Sequence, residues 1–448
     1  MKCIWKTTAY DANSDSKRQV REIELPMTVD EGQEMQAVNL YPNHKDQTFQ
    51  GFGAALTEGG AYTFSRMTKE KQQELLDCYF GKDGMGYSQL RMAIDSCDSC
   101  LGNYSAMETD DKSFESFSID RDRKYILPFL KSILGASENR VEVMLSPWSP
   151  PPFMKTNGEK NHGGQLKKEY YEMWAEYMCR YVQAYEEEGF PVVRISVQNE
   201  PNATQTWDSC RYNGEEEKEF LRDYLYPAMV RFGLSEKQIF IWDHNKERAV
   251  ERAETILDKD TDSMVSGVAF HWYSGDHFDA IRLLHESYPD KLLAFTEGCV
   301  EYSRFAEDDP VAHARMYAHD YIGNLNAGAS ICIEWNLLLD SMGGPNHVKN
   351  YVESPMMYDE KTKILDKKLS IYYIAHMSQY ILPGSVRIAA SKYTRDLDVT
   401  AFQRPDGKIA VVLLNLISEE QVIYIRMNGE LVKIALPADG IGTALLCE

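Results

Sequence analysis

The sequence predicts an α/β fold, a (β/α)8 TIM barrel carrying a small all-β sandwich. Three observations predict it. Between residues 46 and 384, eight apolar, β-branched runs alternate with eight stretches at helical spacing. The first run, Gly51-Phe52-Gly53-Ala54-Ala55, lacks the full phosphate-binding fingerprint expected of the runner-up, a doubly wound sheet. After Pro383-Gly384 the pattern changes to short strands separated by turns.

Residues 1–45 are polar and broken, with strand-like pieces at 2–8 and 21–25 that complete the sandwich. The barrel follows over 46–384. Its strands are predicted at 49–56, 88–94, 141–145, 192–197, 238–242, 265–273, 291–296 and 330–335. The predicted helix over 68–80 begins with a threonine, whose side-chain oxygen caps free backbone N–H groups. The one over 310–325 opens on proline, which suits a first turn because its N–H is not needed there. The others lie at 121–134, 167–187, 215–232, 248–258, 277–288 and 370–381. Residues 385–448 supply strands at 386–390, 397–402, 409–414, 421–426, 431–436 and 443–447, with Arg404-Pro405-Asp406-Gly407 as a hairpin turn.

At 448 residues the chain exceeds one compact core, so a large domain with a smaller partner is expected. Hydrophobic residues are 43% and charged residues 26%, a globular balance. The net charge of −21 argues against nucleic acid or an anionic membrane as partner, since both need basic surface. The first eight residues lack the apolar region of a secretory signal, and no run approaches the ~18 apolar residues of a membrane span. The nine cysteines are odd in number and scattered, which fits a reducing cytoplasm better than a disulfide framework. Cys97-Asp98-Ser99-Cys100 has CxxC spacing but no second pair and no nearby histidine, a weak zinc or redox signal.

In such a barrel the functional site lies where the strands end. The eight runs lead to Thr57-Glu58, to Asp95 and Asp98, to Ser146-Pro147-Trp148, to Asn199-Glu200, to Asp243-His244-Asn245, to His271-Trp272-Tyr273, to Glu297-Gly298 and to Glu334-Trp335-Asn336. Carboxylates and amides bind hydroxyls, and indole faces stack on sugar rings, so the set describes a sugar site. Glu200 and Glu297 end the fourth and seventh runs, on roughly opposite sides of the ring, and supply the two carboxylates of glycosidic hydrolysis. Asn199 suits a contact to the sugar 2-hydroxyl. Glu200 suits the proton donor, with a pKa raised for that role, and Glu297 the nucleophile. Tyr273 is placed to hydrogen-bond Glu297. His271 reads equally as a satisfied core histidine, Asn245 equally as a helix cap, and Glu58 and Glu334 as buried structural acids. No HxH or HExxH pair supports a metal, and no G-x-S-x-G elbow supports serine chemistry, so no cofactor is expected.

These residues carry a family resemblance. Gln50-Gly51-Phe52-Gly53-Ala54-Ala55-Leu56-Thr57-Glu58, Ser146-Pro147-Trp148-Ser149-Pro150-Pro151, Gln198-Asn199-Glu200-Pro201, His271-Trp272-Tyr273, Thr296-Glu297-Gly298 and Trp335-Asn336-Leu337 occur in one order. Together they resemble glycoside hydrolase family 30, which includes glucosylceramidase-like retaining β-glycosidases. The resemblance covers nearly the whole chain. It implies Glu200 as acid/base and Glu297 as nucleophile. It implies sugar contacts from Asp98, Trp148, Asn199, Trp335 and Asn350, with His271 and Tyr273 grouped beside them, Arg91 and His271 supporting the two glutamates, and Trp272 also in support. His347 and Lys349 stand where the family pattern has an aromatic residue and an arginine, in loops that shape the leaving-group side. The expected activity is an exo-acting β-glucosidase on a small glycoside. The alternatives are an endo-β-1,6-glucanase, a β-xylosidase or β-fucosidase, and, from another class, a non-catalytic carbohydrate-binding protein.

Overall fold

The computed structural model describes residues 2–14 and 16–447. All eight predicted barrel strands form, at Gly51–Ala55, Gln89–Ile94, Glu142–Pro147, Val192–Ser196, Gln238–Asn245, Gly267–His271, Leu292–Glu297 and Ile331–Glu334. Each lies parallel to the next, and the last pairs with the first to close the ring. The first two strands approach closely at their backbones. A Cβ on Gly53 would lie 1.6 Å from the carbonyl oxygen of Gln89, which only glycine tolerates.

Side chains alternate along each strand, so every second residue enters the barrel. The interior is therefore layered. Arg194 closes one end, donating to Gln89 Oε1 at 2.7 Å and to Glu142 Oε2 at 2.8 Å. Two residues further along the strands an apolar cluster contains Met144, Phe240, Ala269, Ala294, Ile331 and Ile333. Two residues beyond that, Ser146, His271 and Thr296 face inward at the strand C-termini, with Arg91 among them, and this polar layer floors the site.

Six of the eight predicted helices take up their positions as single helices with boundary shifts, and the one predicted over 121–134 divides at Tyr125 into Asp120–Lys124 and Ile126–Ala136. Thr68 caps Lys69–Phe80 as expected, accepting from Lys71 N at 3.3 Å. The helix predicted over 215–232 is interrupted: Gly214–Phe220 and Tyr226–Arg231 flank a π-turn at Leu221–Leu225. Pro227 lacks the N–H that would continue the ladder. One helix was not predicted. Glu58–Arg66 follows the first strand at once, capped by Thr57. Its Gly59-Gly60 pair hides the helical period; a Cβ on Gly59 would meet the Pro345 carbonyl at 2.6 Å. No helix among the described residues is long and apolar enough to cross a membrane.

The second unit is one ten-stranded sheet folded on itself, with its own apolar core. Lys2–Tyr10 and Arg18–Pro26 join the C-terminal strands, as the sequence predicts. The strand Ala37–Thr48 lies outside the strands the sequence predicts. It has apolar residues only at its start and a proline at 42, yet it pairs antiparallel with Val386–Ser391 and parallel with Gln421–Met427. It carries the sandwich three residues beyond the predicted boundary at 45. The long excursion after the last barrel strand adds small strands at Leu339–Asp340, Val352–Glu353, Met356–Asp359 and Ile364–Lys367. Val352–Glu353 pairs with Val300–Glu301 from the loop after the seventh strand, which brings residues 340–353 to the barrel mouth.

Candidate active site

Arg91 enters the barrel from the second strand and is fully buried. Its guanidinium donates from Nη1 to Glu297 Oε2 at 2.6 Å, and from Nη2 to Asn199 Oδ1 at 2.6 Å and Asp243 Oδ2 at 2.8 Å. One fork thus fixes side chains from the fourth, fifth and seventh strands. Because the Asn199 oxygen is taken by Arg91, its Nδ2 donor is left for the cavity.

Asp243 owes its place to a bulge. The register between the fifth and sixth strands slips where Ala269 pairs with Trp242 and Phe270 with His244, and Asp243 adopts φ 48. The fifth strand therefore runs to Asn245 rather than ending at 242, and the bulge turns Asp243 inward. Its carboxylate also accepts from Ser146 Oγ at 3.1 Å and Thr296 Oγ1 at 2.6 Å. Glu200 lies four residues past the end of the fourth strand at φ 46, a left-handed conformation held by its N–H donating to Asp243 O at 3.0 Å.

His271 sits between two acids. Nδ1 faces Glu200 Oε1 at 3.3 Å and Nε2 faces Asp243 Oδ1 at 3.1 Å. Both nitrogens meet carboxylates, the arrangement of an imidazolium. Burial works against its charge, but Glu297, Asp243 and Glu200 outweigh burial and raise its pKa to about 9. Burial would also raise Glu200, yet His244 and His271 hold it below the usual carboxylate range. The sequence expectation of a raised Glu200 pKa is therefore corrected: the shared proton rests on His271. Glu297 is raised, by burial above all and by the Glu200 charge, with His271 and Arg91 working the other way. Tyr273 donates from Oη to Glu297 Oε1 at 3.1 Å. Oxygens of Glu200 and Glu297 and a ring nitrogen of His271 all lie within 4.8 Å of one another.

These groups border a cavity of about 290 Å³ that Asp98, Trp148, Asn199, Glu200, Tyr273, Glu297, Trp335 and Asn350 line. The Trp148 and Trp335 rings stack at 5.4 Å and 30°, and the Arg91 guanidinium lies 4.6 Å from the Trp148 ring centre. Asp98 accepts at Oδ2 from Asn346 Nδ2 at 3.0 Å and Asn350 Nδ2 at 3.3 Å. Burial, with Glu297 adding to it, raises its pKa to about 7.

Two sequence assignments move. His271 is buried beneath Glu200 and off the cavity wall, so of its two expected roles it keeps the support of the carboxylates and loses the contact to substrate. Trp272 packs on Phe295 and Tyr317 and lines an adjoining hollow, not the cavity that the two glutamates border. Asn245 caps no helix with its side chain; its Oδ1 accepts from Tyr273 N at 3.0 Å. Glu58 is buried with Arg121, and Glu334 with Tyr87, both as structural acids. Gln205, Trp207, Cys299, Glu301 and Arg304 also line the cavity. They come from loops without apolar period, and no sequence signal marked them. Cys97 and Cys100 are buried free thiols, 3.7 Å apart.

The description "Glycosyl hydrolase family 30 TIM-barrel domain" matches residues 49–381, and "Glycosyl hydrolase family 30 beta sandwich domain" matches 384–444. The chain is 31% identical over 403 residues to the lysosomal acid glucosylceramidase of Mus musculus, covering 86% of this chain and 78% of that protein. Its fold matches the crystal structure of SrfJ from Salmonella typhimurium with a TM-score of 0.94 and 36% identity, over 100% of both chains. An endo-β1,6-glucanase structure matches with a TM-score of 0.86 and 26% identity, again over 100% of both.

Proposed function

The chain belongs to glycosyl hydrolase family 30, and from that membership we propose that it cleaves a terminal β-glucoside with retention, using Glu297 as nucleophile and Glu200 as acid and base. The observation that carries this is the approach of one oxygen from each of the two carboxylates to within 4.8 Å. Retaining enzymes hold them at ~5–5.5 Å, whereas inverting enzymes need ~6.5–9.5 Å to admit a water between them.

The steps follow from the geometry. Trp148 and Trp335 offer an apolar face to one sugar ring, and Asn199 Nδ2 holds its 2-hydroxyl. Glu297 attacks the anomeric carbon as the bond to the leaving oxygen breaks. Glu200 gives that oxygen its proton. This proton lies on His271; a glycoside filling the cavity strips water from Glu200, raises its pKa and draws the proton across. Glu200, now ionised, takes a proton from water, which attacks the anomeric carbon and frees Glu297. Arg91 and Tyr273 hold Glu297 as the carboxylate that must attack and leave.

The small cavity supports exo action on one ring, and similarity to a glucosylceramidase supports glucose in it. A second reading, endo cleavage of a β-1,6-glucan, draws on one feature. A hollow of about 260 Å³ shares Tyr273, Glu301 and Arg304 with the first and offers room for a further ring. Assay on aryl β-glucoside, xyloside and fucoside, and on gentio-oligosaccharides, separates these. Glu297→Gln is expected to abolish hydrolysis and leave sugar binding; full activity in that variant would refute the mechanism, and binding without turnover in the wild type would mark a carbohydrate-binding protein.

A further inference from the structure

The loop over 340–350 holds the departures from the family pattern, His347 and Lys349. The loop reaches Asp98. Asn346 and Asn350 both donate to Asp98 Oδ2, at 3.0 and 3.3 Å. The His347 N–H donates to the Asp98 carbonyl at 3.2 Å. The His347 imidazole is off the cavity wall. Its Nε2 meets Asp208 Oδ2 at 3.1 Å, and Asp208, 1% exposed, accepts at Oδ1 from Ser96 Oγ at 2.6 Å. Ser96 lies on the loop after the second barrel strand, Asp208 on the loop after the fourth, and His347 on the loop after the eighth.

We infer that His347 and Asp208 form a positioning pair for sugar recognition, a latch that ties the three loops together so that Asn346 and Asn350 aim the Asp98 carboxylate at a hydroxyl of the bound ring. The inference rests on the glycosidase reading above. The physical argument is orientational. A carboxylate facing a sugar hydroxyl gains from a fixed acceptor direction, and two amide donors on a tethered loop fix it. Without the tether the loop must be ordered anew at each binding event, and the cost falls on binding rather than on bond cleavage.

The test is a double-mutant cycle on hydrolysis of an aryl β-glucoside. His347→Ala is expected to raise KM about tenfold, the size a charge-assisted hydrogen bond supports, with kcat changed less than about twofold. His347→Gln, which keeps a donor within reach of Asp208, is expected to restore most of the affinity. If the latch acts through Asp98, the Asp98→Asn/His347→Ala protein is no weaker in KM than Asp98→Asn alone. If the alanine variant does not fold, His347→Asn, too short to reach Asp208, replaces it with the same expected values. An unchanged KM, or effects of the two substitutions that multiply in full, would overturn the latch while leaving wild-type hydrolysis intact. Absence of wild-type hydrolysis on every glycoside tried would overturn the glycosidase reading, and the latch with it.

Discussion

Arg91 is the residue on which the site converges, since its single guanidinium orders Glu297, Asn199 and Asp243. The proton that catalysis needs is stored on His271, which shares Asp243 with Arg91. This fixes the pH dependence of kcat/KM, which reports the free enzyme. His271 must hold its proton, and its pKa is raised to about 9, so activity is expected to fall as pH rises through about 9. Glu297 must be ionised, and its pKa is raised, so the acid limb is expected above the ordinary glutamate value. His271→Gln cannot store a proton. It is expected to erase the limb near 9 and to slow alkyl glucosides about 100-fold, aryl glucosides with good leaving groups much less. An unaltered profile would contradict the proton store. The two glutamates, Asn199 and the indoles were legible because each follows an apolar run at a turn. Which carboxylate carries the proton was not, because that depends on groups from separate strands meeting around one imidazole.

At the scale of elements, what the sequence showed and what it hid divide by period. Strands such as Val192–Ser196 and Leu292–Glu297 are apolar without interruption and were legible. The bulge at Asp243 was not, because an extra residue in a strand leaves no mark on composition. Nor was Ala37–Thr48, whose outer half is charged and held by partners nearly four hundred residues away. The helix Leu369–Ser378 yields a stability prediction. Its His376 is buried between Thr8 Oγ1 and Thr443 Oγ1, each at 2.9 Å, and burial lowers its pKa to about 3. The unfolded chain binds a proton near its ordinary value and the folded one does not. Stability from this group is therefore full above that value and falls with pH down to about 3, at up to ~1.4 kcal/mol per pH unit. His376→Gln is expected to flatten the acid side of the melting-temperature profile; an equally steep fall would contradict the assignment.

For the whole molecule, the sandwich is part of the barrel's support. Phe402, Val412, Leu414 and Ile441 belong to the same apolar cluster as the barrel helices, and Phe49 packs on Phe402 at 6.1 Å between ring centres. Residues 46–384 alone are expected to give no cooperative thermal melt and no hydrolysis; a sharp melt with activity would show the barrel to be autonomous. The central claim concerns the reaction the assembled molecule performs, and one measurement addresses it most directly. A 2-deoxy-2-fluoro-β-glucosyl fluoride slows release of the covalent intermediate, so that peptide mapping by mass spectrometry reads the residue that carries the sugar. The label is expected on Glu297, with activity recovering as it is released. A label on Glu200, or hydrolysis of the probe with inversion and no labelled peptide, would contradict the account.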